Sequence, residues 1–73
     1  MTQKQKELVF HYALLSWEDG GYESDKLNAV CCYAELSVFR LFGFLHDHSH
    51  DYQGALKEVL AMTDEQFFEA FGR

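Results

Sequence analysis

Three histidines, His46, His48 and His50, alternate with Asp47, Ser49 and Asp51 between two apolar stretches. Imidazole and carboxylate together suit zinc or another divalent transition metal. The spacing serves a metal in either backbone state. In an extended link the three rings share one side, and in a helix His46 and His50 form an i,i+4 pair. The same residues also have structural uses. A histidine at a helix C-terminus meets the negative end of the dipole, and Asp or Ser caps the next helix. No His-Glu-x-x-His motif accompanies the run. A metal-stabilised helical module is therefore the alternative reading of this chain, and no resident cofactor is expected.

Cys31 and Cys32 are the only cysteines, and they are adjacent. Neighbouring residues in a helix do not reach disulfide geometry, and redox pairs of the thioredoxin kind need two intervening residues. A Cys–His hydrolase would require a thiolate beside an imidazole, with His11 as the nearest candidate from another segment. Yet 73 residues leave little material for a substrate cleft. Cys31 is expected to pack as a small hydrophobe. No catalytic constellation emerges, and the chain is expected not to be an enzyme.

A third group has a different chemistry. Trp17, Glu18, Asp19, Tyr22, Glu23 and Asp25 put rings and carboxylates into one short stretch around Gly20-Gly21. Aromatic anchors with a charged rim suit a protein interface. The spacing does not match an EF-hand loop, so calcium is not expected. Asp64, Glu65 and Glu69 make a second acidic group, although acids in a first turn also serve the helix dipole.

The elements that must position these groups follow from capping signals and apolar period. Thr2 to Gln5 has the form of a capping box and opens a helix over about residues 3–18. Phe10, Ala13, Leu14 and Trp17 form one face of that helix, and Leu8, Tyr12 and Leu15 form a second stripe. Gly20-Gly21 ends it, and Ser24 is a good N-cap for the next. A long helix is expected over about residues 25–46. Leu27, Val30, Cys31, Ala34, Val38, Leu41 and Leu45 make its seam, and Ala29, Cys32, Leu36 and Phe39 lie on the other side. Ser49 or Asp51 then caps a helix burying Ala55, Leu56, Val59 and Leu60. Thr63 to Gln66 is a second capping box, with Met62 and Phe67 at the staple positions and Phe67, Phe68 and Phe71 available to the core. The expected fold is all-α: one domain over residues 1–73, a small bundle of three to four helices with the apolar 25–46 helix at its centre.

Composition limits the function. A hydrophobic content of 48% argues against disorder. The net charge of −6 sets the chain against nucleic-acid phosphates and anionic membranes, so neither is expected as a direct partner. No apolar run is long enough to span a bilayer. The opening Met1-Thr2-Gln3-Lys4-Gln5-Lys6 has no apolar run of signal-peptide type. With unpaired cysteines, that implies a cytoplasmic setting.

What remains is a small acidic interaction protein, an adaptor or an inhibitor whose partner carries a basic surface. In its sharper form, its carboxylates occupy the basic groove of a nucleic-acid-binding protein in place of phosphates. Small phage-borne inhibitors of host machinery have this profile. A second surface is expected at Cys32, Leu36 and Phe39. An apolar stripe left open there would support self-association as a homodimer about a two-fold axis.

Overall fold

The computed structural model describes residues 1–73. Five helices follow in order: α1 (Gln3–Glu18), α2 (Asp25–Ala34), α3 (Val38–Asp47), α4 (Tyr52–Ala61) and α5 (Asp64–Phe71). The all-α class and bundle-like packing stand as expected. The number and boundaries of the helices do not all do so.

Every helix begins on a side-chain cap. Thr2 and Thr63 form complete capping boxes with Gln5 and Gln66. Ser24, Ser37 and Asp51 accept the Leu27, Arg40 and Gly54 amides. Each cap satisfies one of the amides that a helix start leaves without a partner. After α1 the chain turns through Gly20 and Gly21, both at positive φ (84° and 79°). There any side chain with a Cβ would be strained.

The expected 25–46 helix is two helices. Glu35 takes the left-handed conformation (φ 58°, ψ 45°). The Leu36 amide donates to the Cys31 carbonyl at 2.7 Å and the Glu35 amide to the Cys32 carbonyl at 3.4 Å. This is a Schellman closure with a glutamate in the position glycine usually takes. Its apolar contact is supplied by Leu36 and Cys31, both wholly buried. The C-terminal residues then pair with the break. Ser37 donates its amide to the Phe71 carbonyl at 2.7 Å, Arg73 donates its amide to the Glu35 carbonyl at 3.0 Å, and Leu36 pairs antiparallel with Gly72. Arg73 Nε donates to the Leu36 carbonyl at 3.1 Å. Those backbone bonds offset the left-handed glutamate, which costs roughly 1–2 kcal/mol relative to a right-handed residue.

The centre of the bundle is shared by α3, the second half of the 25–46 segment, which contacts all four other helices, and by α1. α1 packs against α2, α3 and α4, and α5 closes on α3. Its inward stripe is Lys6, Val9, Phe10, Ala13 and Ser16, a helical spacing of three and four. Leu27, Cys31, Leu36, Leu41, Leu45, Ala55, Val59, Phe67 and Phe71 complete the core.

One core position is charged. Lys6 is 4% exposed. Its Nζ donates to the Met62 carbonyl at 2.8 Å, lies 3.2 Å from Asp64 Oδ1 and sits over the Phe67 ring. Its charge is thereby paired and hydrogen-bonded, the condition under which a buried cation is tolerated. The terminal ammonium of Met1, hydrogen-bonded to Asp64, and then Lys6 hold the Asp64 carboxyl below its ordinary pKa. No helix is long and apolar enough to cross a membrane.

Candidate binding groove

The structure does not bring the three link histidines together. His46 and His50 are exposed, and each ring lies edge-on to a different aromatic, Trp17 and Tyr52 respectively. His48 caps α3 and packs at 4.2 Å between centroids on Phe44. Both its nitrogens are engaged, Nδ1 with the Phe44 carbonyl at 2.8 Å and Nε2 with Glu58 Oε2 at 2.7 Å. Two acceptors facing one ring favour the doubly protonated imidazolium. The Phe44 carbonyl first, then Glu58, raise its pKa above the ordinary 6.5. An imidazolium has no lone pair for a metal. No group of three or more His, Cys, Asp or Glu side chains is placed to hold a metal ion.

The cysteines part company. Cys31 is buried and Cys32 exposed, both as free thiols. Burial pushes the Cys31 thiol up, which keeps it protonated and unreactive at neutral pH. The expected self-association stripe loses its middle member. Leu36 is wholly buried, while Phe39 is 83% exposed. The break at Glu35 turns Leu36 inward, so Cys32, Leu36 and Phe39 do not form one open stripe.

The acidic turn is at the surface. Glu18, Asp19, Tyr22, Glu23 and Asp25 are exposed. Trp17 is half-buried, 5.6 Å between centroids from Phe42. Ser16 and Ser24 join by a hydroxyl hydrogen bond at 3.1 Å and tie the end of α1 to the start of α2.

That bond fixes α1 and α2 as an antiparallel hairpin, and its outer side carries the least expected feature. Met1, Gln5, Leu8 and Val9 from the start of α1 face Ala29, Val30, Tyr33 and Ala34 from α2, with Phe68 of α5 at the end. Together they line an open groove of about 490 Å³, and eight of the nine residues are hydrophobic. Gln5 is the one polar side chain. Leu8 is 48% exposed, Phe68 41% and Tyr33 92%. Scattered surface apolar residues need no explanation, but a contiguous apolar concavity does.

The expected interface residues do not include this groove. Leu8 stands in the second stripe of helix 1, and Phe68 is expected to share in the core. Tyr33 belongs to neither stripe of the long helix. The signal was its spacing from Ala29 and Val30, which places it on their face of a helix. That face is left open between the start of α1 and Phe68.

Comparison with protein-family models, with curated proteins and with solved structures finds no match.

Proposed function

We propose that the chain is a non-enzymatic protein-binding module, an adaptor or an inhibitor that acts by occluding its partner, with the α1–α2 groove as its contact face. The observation that carries this reading is the groove itself: apolar across eight of nine lining residues, on a chain of net charge −6. A groove of this composition offers shape and apolar area without convergent polar groups to orient a reacting molecule. The negative exterior favours a partner with a basic surface and speeds its encounter. A nucleic-acid-binding protein is the partner class whose basic groove best matches that charge. A cytoplasmic setting agrees with the two free thiols.

The test is affinity capture from a bacterial lysate with tagged wild-type protein and with the double variant Leu8→Glu/Tyr33→Glu, washed at rising salt. The expected result is a basic partner retained by the wild type, lost from the variant and weakened by salt. An identical set of retained proteins on both baits would remove the groove from the function. Retention indifferent to salt would remove the charge.

A further inference from the structure

A second depression lies further along α1. Tyr12 and Leu15 follow Leu8 along the same face of α1, and they line it with Tyr22. Leu15 is 53% exposed and Tyr22 67%. Gln5 to Leu15 covers roughly 15 Å of helix axis at about 1.5 Å per residue. The result is a track about three helical turns long on one face of α1, apolar at the Phe68 end and mixed with Ser16, Asp19, Ser24 and Lys26 at the turn end.

Carboxylates stand at both ends of this track. At the turn end Asp19 lines the depression itself, and Glu18, Glu23 and Asp25 are exposed in the same loop. At the other end Glu35 lines a recess shared with Phe68 and Arg73. Glu65, three residues before Phe68, lies on the same face of α5. Lys26 is the one cation lining the turn-end depression, so the balance there is negative.

Resting on the reading of the groove as a protein-contact face, we infer that its occupant is one amphipathic helix of the partner, with apolar residues spaced i, i+3/i+4, i+7 and Lys or Arg at both ends. A helix in a groove is read through such anchors, and its basic ends would meet the carboxylates at each end of the track. A second copy of this chain fits poorly. It brings a further net charge of −6 to an already negative contact, whereas a basic helix brings the opposite sign.

The probe is a display library of random peptides, each about 16 residues long, selected on the intact wild-type protein and counter-selected on Tyr33→Glu. Tyr33 is 92% exposed, so the variant keeps its fold, which its circular dichroism and melting temperature verify. The expected outcome is enrichment of peptides with helical apolar spacing and basic ends. Their affinity should fall about tenfold or more when both ends are changed to Glu. Enrichment of neutral-ended or acidic-ended peptides, or no enrichment over Tyr33→Glu, overturns the helical occupant. So does a wild-type dimer in sedimentation that Tyr33→Glu abolishes. If lysate capture still depends on the groove when the peptides fail, the binding module survives and only its occupant is wrong. If capture ignores the groove as well, both fall.

Discussion

The two flanks of α2 carry the same kinds of residue to opposite ends. On one flank Leu27 and Cys31 are wholly buried, continuous with Leu36 beneath the paired C-terminal residues. On the other, Ala29 and Tyr33 are exposed, with Val30 only half-covered. Composition does not separate them, because both are apolar. What separates them is what the rest of the chain covers. α1 and the C-terminal residues close over the first flank, and no element is left to close over the second. A small domain has too little chain to cover every apolar face of its helices, so an uncovered one is available for an external partner.

Mutations that treat the flanks alike would break that contrast. Leu27→Ala should cost about 2–5 kcal/mol, the range for a buried leucine replaced by alanine. Tyr33→Ala, on the same helix, should change stability by no more than about 0.5 kcal/mol, as exposed sites do. Urea denaturation of both variants measures the difference, and a comparable loss for Tyr33→Ala would mean the groove belongs to the core.

The junction that turns the flanks apart gives the next effect, of opposite sign. Glu35→Gly should stabilise the protein by about 0.5–1 kcal/mol, since glycine accepts the left-handed backbone at φ 58° while having more freedom to lose on folding. A destabilised Glu35→Gly protein in the same assay would show that the glutamate side chain itself holds the break.

The smallest effect comes from partly exposed pairs outside α2, where pH reads the contribution. His48 has a raised pKa, so its contribution is full below the unfolded value near 6.5 and is lost as pH rises through the higher folded value. Asp64 has a lowered pKa, so its contribution is present above the unfolded value near 3.8 and is lost as pH falls through the folded one. Melting temperature should therefore decline on both the alkaline and the acid side. Glu58→Gln should flatten the alkaline decline, by an amount within about 1 kcal/mol for a pair this accessible. An unaltered alkaline slope in Glu58→Gln would mean the His48–Glu58 hydrogen bond does not form in solution.

Much of the fold was legible in local signals. The two Thr capping boxes, Ser24, Asp51 and the glycine turn each act through their immediate neighbours, and each falls where spacing predicts. The α2–α3 break was hidden because its cause is remote. Glu35 carries no glycine signal, and the apolar period resumes in phase at Val38, Leu41 and Leu45. Ser37 is the local hint, a cap in mid-pattern. The partners that hold the break, Phe71, Gly72 and Arg73, lie more than thirty residues away along the chain. Lys6 was illegible for the same reason, since its acceptors Met62 and Asp64 come from the far end. The acidic turn lies at the surface, where its carboxylates stay hydrated, whereas the groove beside it depends on which flank the C-terminal residues cover.

Oxidative footprinting of the chain alone and with its captured partner tests the uncovered flank most directly. Tyr33, 92% exposed in the free protein, should react readily alone and become strongly protected in the complex, together with Leu8 and Phe68. A complex in which Tyr33 stays fully reactive while Phe39 or the acidic turn alone is shielded would contradict the assignment of the α1–α2 groove as the contact face.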